Sequence, residues 1–330
     1  MTIKEADIRP TILINYNREV LFYEDIEIFH KKFHNKLKYI DNCIACDSNL
    51  VYNSFTKDGF TFQKCPQCNT LFVNPRPDES QLKWWYSNSK HAQHSNEILQ
   101  NTESKRIELY ETRIKNFLNR VPTHINKILE FGCGNGISLQ LLKKINPKLN
   151  LLGIDLTPAS VESCKEKGIP CKLADINDFA LDNNLSYDAV VSFEVIEHLV
   201  NPEFVLNSIN TILKKDGFVY MSMPNYHSYD FLEIGEGYRN LFAPGHLNYF
   251  NPDSIKLLLK RCGFEDIQVF CDGVLDTSIV KNYNYMKKIK LSPFWENIYN
   301  NENESFLNEF QKLLSKYNLS GNMTVIARKK

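Results

Sequence analysis

Four of the nine cysteines in this chain of 330 residues are patterned. Cys43-x-x-Cys46 and Cys65-x-x-Cys68 are separated by 18 residues. Two residues between cysteines let both sulfurs face one ion from a tight knuckle, and two knuckles complete a tetrahedral S4 site of the kind zinc occupies. Four thiolates fill the coordination shell, so the expected ion is structural and not catalytic. The stretch is too short to bury a core unaided, and metal binding should supply its folding energy. Cys133, Cys164, Cys171, Cys262 and Cys271 fall singly into strand or helix patterns and are expected to pack in the core.

The run "ILEFGCGNGIS" places Gly132, Gly134 and Gly136 between a β-like segment and a helical one. Glycine at that density marks backbone that must approach something closely. A strand, a glycine turn and a helix form the first crossover of a doubly wound sheet, whose ligands sit at the carboxyl ends of the strands. The next strand ends in "GID", and Asp155 stands 19 residues beyond Gly136, where a carboxylate accepts ribose hydroxyls. The third strand ends in "ADIND", and Asp175 there reaches the adenine edge. A nicotinamide site uses G-x-G-x-x-G around a pyrophosphate. This chain has G-x-G-x-G, with Ile137 in the place of the third glycine and Glu130 two residues ahead of the first. An acid so near suits a ligand carrying a positive charge and an amino group.

Two histidines fall at the same strand-end face. His198 closes "FEVIEH", and His246 sits in "APGHLNYF". A neutral imidazole is the usual general base near pH 7. His246 is expected to be that base or to position the acceptor, with His198 as the second candidate. Glu194 is assigned to the cofactor side and Glu197 to a cap on the following segment.

The elements that must position these groups follow from periodicity. Residues 1–40 form an N-terminal extension in which "TILINYNREVLFYEDIEIF" reads as strand. Residues 41–78 hold the cysteine pairs, and 79–125 form a helical connector in which Ile107, Tyr110, Ile114 and Leu118 recur at helical spacing. From 126 to 330, strands alternate with helices, which implies a parallel sheet covered on both faces. "YDAVVSFEV" is apolar throughout, as a strand buried on both sides should be. "NPEFVLNSINTILKKDG" reads as a helix closed by Gly217. Two insertions interrupt the alternation. Residues 225–250, aromatic and without simple period, are expected to form a substrate lid whose tyrosines and Arg239 contact the acceptor. Residues 272–320 read as irregular, with an exposed Asn-rich "NNENES".

Basic and acidic residues balance at 39 each, so no global field attracts nucleic acid or an anionic membrane. No apolar run approaches the roughly 18–20 residues of a membrane span, and "MTIKEADIRP" does not read as a secretory signal. A cytoplasmic location with reduced thiols is expected. Oligomeric state is left open.

Taken in order, "LEFGCGNG", "GIDLT", "ADIND", "FEVIEH" and "GHLNYFNPDSIKLLLKRCGF" resemble class I S-adenosylmethionine-dependent methyltransferases, most closely the branch acting on small molecules and sugars. The resemblance covers residues 126–328. It implies a Rossmann-like α/β fold with seven strands in the order 3-2-1-4-5-7-6, the last antiparallel. It also implies that Glu130, Gly132, Gly134 and Gly136 line the methionine and ribose side, with Asp155 and Leu156 at the ribose. Asp175 and Ile176 would flank the adenine, and Glu194 would face the cofactor. The segment from "CIACDSN" to "NTLFVNPRP" resembles the zinc ribbon ahead of the methyltransferase domain in some sugar-modifying members. Sugar C-methyltransferases with such a ribbon carry Glu directly before the histidine, where this chain has Gly245. O-methylation of a sugar, nucleotide sugar or glycan precursor is therefore favoured. C-methylation, or a non-catalytic binding module on a degenerate fold, remain the alternatives.

Overall fold

A computed structural model describes residues 13–49, 53–286, 288–301 and 303–330. Two sheets organise it. The smaller is antiparallel and joins β1 (Asn53–Lys57), β2 (Phe60–Lys64) and β3 (Leu71–Val73) to a short strand from far along the chain. The larger contains β4 (Lys127–Phe131), β5 (Asn150–Asp155), β6 (Cys171–Leu173), β7 (Tyr187–Phe193) and β8 (Leu213–Pro224). The distant strand of the small sheet is β9 (Asn248–Tyr249), and β10 (Phe264–Cys271) and β11 (Asn322–Lys329) complete the large one.

Across the large sheet the order is β6-β5-β4-β7-β8-β11-β10. Counted within this domain it is 3-2-1-4-5-7-6, as expected. β4, β5, β6, β7 and β8 pair in parallel, and β11 runs antiparallel to both β8 and β10. Alternate β7 side chains face opposite covering layers. Val190 packs with Leu206, Ile209 and Leu258 on one side, while Ala189 and Val191 pack with Ile114, Phe117 and Leu142 on the other. Each such buried aliphatic contributes about 1.5–3 kcal/mol. The helices start where their caps dictate. Asn251 and Ser254 form a capping box for Pro252–Arg261, and Asn201 caps Pro202–Ile212.

Three segments differ from the sequence reading. The extension is helical over Leu13–Phe33, not strand; the start of the quoted stretch, Thr11 and Ile12, lies outside the described residues. Phe22, Ile26 and Phe29 recur on its buried side and pack on Phe60 and Trp85. The helix expected to close at Gly217 ends at Ile212, and β8 begins at once. The insertion at 272–320 is mostly helical, over Asp276–Tyr285, Pro293–Asn300 and Glu304–Lys316. Of the Asn-rich turn between the last two helices, Asn301, Asn303, Glu304 and Ser305 are exposed.

The cysteine segment is not a separate bead. β3 pairs with β9, which belongs to the 225–250 insertion. Asn251 donates to the Cys68 carbonyl at 2.9 Å, and Arg261 to the Ala45 carbonyl at 3.0 Å, so both knuckles dock on the Pro252–Arg261 helix.

Candidate active site

The glycine turn is built by β4 and β5 together. The backbone N–H groups of Gly132 and Cys133 donate to the Ile154 carbonyl, and Gly134 N–H donates to Asp155 Oδ2 at 2.9 Å. Thr157 N–H donates to Asp155 Oδ1 at 2.8 Å, fixing the carboxylate at the strand end. All three glycines have positive φ, between 51° and 77°. Their surroundings differ. A Cβ on Gly132 would lie 2.6 Å from Val195, and one on Gly136 2.8 Å from Ile169, so these two serve internal packing. A Cβ on Gly134 would meet nothing within 4 Å, so this glycine alone of the three faces open space.

Glu130 lies beneath this turn, 2% exposed. Ser138 donates to Oε1, while Oε2 is buried and has no hydrogen-bond partner. Burial, reinforced by Asp155 and partly offset by Ser138, pushes the carboxyl up to about 8. A positively charged ligand would restore its ionised form, so the donor set fits a sulfonium-bearing amino acid. Leu156, beside Asp155, is 62% exposed and offers an apolar surface at the cradle rim. Asp175 caps the next helix by accepting Asn177 N–H. Ile176 departs from expectation. Its side chain is 1% exposed within the core, so only its backbone is left to face an adenine.

Glu194 follows β7 with φ +56°, a left-handed conformation rare for a residue with a side chain. That turn aims its carboxylate at Arg113 (3.1 Å), Ser222 (2.7 Å) and Asn322 (2.9 Å), all of which donate to it. Burial works to raise its pKa, but these donors outweigh it and hold the group below the usual carboxylate range. Glu194 therefore faces a cavity of about 340 Å³ at the strand ends. Arg106, Arg113, Asp230, Tyr238, Asn240 and Asp272 are among its lining residues. The arginines come from the Glu103–Leu118 helix of the connector, and Arg239, expected in this role, is not among the lining residues. Of the insertion's tyrosines only Tyr238 lines the cavity; Tyr226, Tyr229 and Tyr249 are buried in an aromatic cluster.

His198 and His246 come together, with ring centroids 4.6 Å apart. His198 Nδ1 is 2.6 Å from the Gly245 carbonyl and 2.9 Å from the Tyr86 hydroxyl. His246 Nδ1 is 3.1 Å from the Asn240 carbonyl. A carbonyl can only accept, so each Nδ1 carries a proton toward its carbonyl. Burial lowers the His198 pKa, against the pull of the Gly245 carbonyl and Glu194, so this ring is neutral at pH 7.

Sequence reasoning missed two members of this group. Glu197, read as a cap, is 2% exposed beside both histidines. Burial, and then the charge of Glu194, push its pKa well up. Arg76, from the end of the cysteine segment, is 2% exposed and donates to the Val200 and Leu247 carbonyls and to Asn248 Oδ1. Asn248 in turn donates to the Ile196 and Leu199 carbonyls. This strut holds the loops of both histidines in register. Its one advance sign was an arginine in "NPRPD" next to the second knuckle.

The four cysteines converge. Sγ atoms of Cys43 and Cys68 are 3.5 Å apart, those of Cys46 and Cys65 are 3.6 Å apart, and all four lie within 4.8 Å of one another. The knuckles match: Asp47 and Asn69 both have positive φ, and their N–H groups donate to Cys43 and Cys65 carbonyls at 2.9 Å. Zinc–sulfur bonds of about 2.3 Å require sulfurs about 3.8 Å apart, so the cluster is compatible with zinc. Cys133, Cys164 and Cys171, read as isolated, also lie together under the glycine turn. Among the described residues no helix is long and apolar enough to cross a membrane.

A family profile described as a methyltransferase domain matches residues 102–269, about half of the chain. The ubiquinone biosynthesis O-methyltransferase of Chromobacterium violaceum is 30% identical over 149 residues, 42% of this chain and 63% of that protein. The enzyme of the same name from Thiobacillus denitrificans is 23% identical over 178 residues, 50% and 76% of the two chains. The chain thus spans less than two thirds of the first of these relatives. Among solved structures, a SAM-dependent methyltransferase from Archaeoglobus fulgidus is similar at 20% identity and a TM-score of 0.46, over 68% of this chain and 94% of that one. A SAM-dependent methyltransferase from Thermotoga maritima, described as a possible histamine N-methyltransferase, is similar at 16% identity and a TM-score of 0.47, over 69% and 95%. The strand order, the cradle at Gly134 and the matched profile lead to one conclusion: the chain belongs to the class I S-adenosylmethionine-dependent methyltransferases.

Proposed function

We propose that this protein transfers a methyl group from S-adenosylmethionine to a hydroxyl of a small polar acceptor, a sugar, nucleotide sugar or glycan precursor, in the cytoplasm. The observation that carries the acceptor reading is the strand-end cavity, whose size suits a small molecule and whose mixed lining of Arg106, Arg113, Glu194, Asp230 and Asp272 offers donors and acceptors to a hydroxyl-rich one. The cofactor, when bound, supplies a methyl already activated on a sulfonium, so the protein's task is chiefly positioning. Glu130 and the Gly134 cradle hold the positive end, and Asp155, Leu156 and Asp175 hold the nucleoside. The Glu197–His198–His246 group acts on the acceptor hydroxyl. With donor and acceptor bound, this group would take up the hydroxyl proton as the methyl passes from sulfur to oxygen, and would release that proton to solvent.

Gly245 supports oxygen over carbon as the acceptor atom. A side chain there would begin 2.1 Å from the Phe242 ring, so the glutamate of the sugar C-methyltransferases that the ribbon resembles would have to displace that ring. The names of the curated relatives favour a second reading, in which the acceptor is an intermediate of ubiquinone biosynthesis. Methyl-labelled donor offered with pooled nucleotide sugars and, separately, with ubiquinone intermediates tests both. Label in the sugars supports the first reading, label only in the second pool selects the second, and no label in either overturns methyl transfer to these acceptors.

The cysteine cluster is proposed to hold one structural zinc. Elemental analysis of protein purified without chelators is expected to find one zinc per chain. Cys65→Ser should lose it, lower Tm and slacken β3 and the Arg76 strut, while S-adenosylhomocysteine affinity stays near wild type. Wild-type protein without zinc would overturn the assignment.

A further inference from the structure

We propose that Cys133 and Cys171 form a peroxide-sensitive thiol pair whose disulfide pulls on the glycine turn and weakens cofactor binding. Formation of the bond stands on the sulfur geometry alone; its effect rests on the reading of the Gly134 turn as the cofactor cradle.

Three thiols from three elements meet behind the turn. Cys133 lies within it, Cys164 on the Pro158–Glu166 helix and Cys171 at the start of β6. Their Sγ atoms all lie within 4.8 Å of one another, and those of Cys133 and Cys171 are 3.3 Å apart. Two glycines make room for them. A Cβ on Gly153 would stand 2.6 Å from Cys133 Sγ, and one on Gly136 would stand 2.9 Å from Cys164 Sγ. Sulfur fills the space that side chains at these two positions would take.

The three thiols differ in access. Cys164 and Cys133 are 0% and 5% exposed, whereas Cys171 is half-buried on β6, the outermost strand at that end of the large sheet. Burial pushes the Cys164 thiol up to about 12 and raises that of Cys133 as well. The first oxidation therefore falls on Cys171. Hydrogen peroxide, the two-electron oxidant, transfers one oxygen to that sulfur and leaves as water, giving a sulfenic acid. The Cys133 sulfur then attacks it. The S–S bond forms as the S–OH bond breaks, and the Cys133 proton leaves with the hydroxide as a second water.

A disulfide requires the sulfurs to come well inside their present separation. Cys171 is held in β6 by its pairing with Gly153. Cys133 belongs to the turn: its N–H donates to the Ile154 carbonyl, and its own carbonyl accepts Gly136 N–H. The next residue, Gly134, donates to Asp155, and its carbonyl accepts from Cys164 Sγ at 3.4 Å. Drawing Cys133 toward β6 disturbs the bonds that shape the cradle.

Full-length, zinc-loaded protein treated with hydrogen peroxide, alkylated and digested is expected to give a Cys133–Cys171 linked peptide by mass spectrometry. S-adenosylhomocysteine affinity, read by calorimetry, should fall at least tenfold and recover on reduction with glutathione. Cys171→Ala should bind S-adenosylhomocysteine like wild type before peroxide and keep that affinity after it. Zinc content, read on every sample, reports whether the cysteine knuckles stay loaded. Wild type that keeps all three thiols free, or links Cys133 to Cys164 instead, overturns the pair. A linked pair whose affinity stays within threefold of the reduced protein overturns the coupling to the cradle. An equal loss of affinity in peroxide-treated Cys171→Ala overturns it too, and zinc loss in that sample would trace the effect to the knuckles. Reduced wild type that binds no S-adenosylhomocysteine overturns the cradle reading, and the linked peptide then still decides the pair.

Discussion

Gly134→Val is expected to abolish binding of S-adenosylmethionine and S-adenosylhomocysteine, a loss of at least 100-fold in affinity by calorimetry. Two effects combine. The backbone at Gly134 has φ +51°, where a β-branched residue is strained by about 1–3 kcal/mol. The new side chain would also enter the one direction at this turn that meets no protein atom within 4 Å, the space proposed for the ligand. Gly168 separates these effects. It has φ +67° and open space where a Cβ would lie, at the exposed end of the Pro158–Glu166 helix, so a side chain there adds backbone strain without meeting another atom. Gly168→Val should lower Tm and leave cofactor affinity unchanged. If Gly134→Val binds within tenfold of wild type, the cradle has been assigned to the wrong face.

His246→Ala is expected to lower kcat by about 10²–10⁴-fold, the usual contribution of a group handling the acceptor proton, with cofactor affinity nearly unchanged. The histidine packs against His198 and Phe242, and the Asn240 carbonyl that it faces belongs to a residue lining the strand-end cavity. Because it also packs in that aromatic group, Tm must be read alongside kcat. The pattern across variants is diagnostic. A fall confined to His246→Ala marks a single base. Equal falls for His246→Ala, His198→Ala and Glu197→Gln mark groups acting as one unit. A larger fall for His198→Ala, with His246→Ala near wild type, reverses the two roles.

The sequence by itself determined the glycine turn, the strands beside it and the cysteine knuckles. Glycines at 132, 134 and 136, the strand-end acids and the alternation of apolar strands with capped helices are local signals, and each specifies backbone within a few residues. The paired C-x-x-C knuckles are local in the same sense, since two residues between cysteines define the turn. The helix over Leu13–Phe33 was also locally encoded, by Phe22, Ile26, Phe29 and Phe33 at helical spacing, but aromatic and β-branched residues around them mimic a strand. Leu307, Phe310 and Leu314 carry the same period in the last helix of the second insertion.

The grouping of Glu197, His198 and His246 was decided only by tertiary structure. His198 and His246 are 48 positions apart, and Arg76 reaches across 172 positions to Asn248. No periodicity records a contact at that range. Glu197 illustrates the limit most directly. In the sequence it is one acid in "FEVIEH", indistinguishable in kind from Glu194. In the fold a left-handed turn at Glu194 sends that carboxylate to Arg113, Ser222 and Asn322, and leaves Glu197 buried against two imidazoles with an oxygen unmatched. The difference lies in which neighbours the remote segments deliver. β9 arrives from the insertion and Arg76 from the cysteine segment, and burial then converts an ordinary carboxyl into a group that requires a partner.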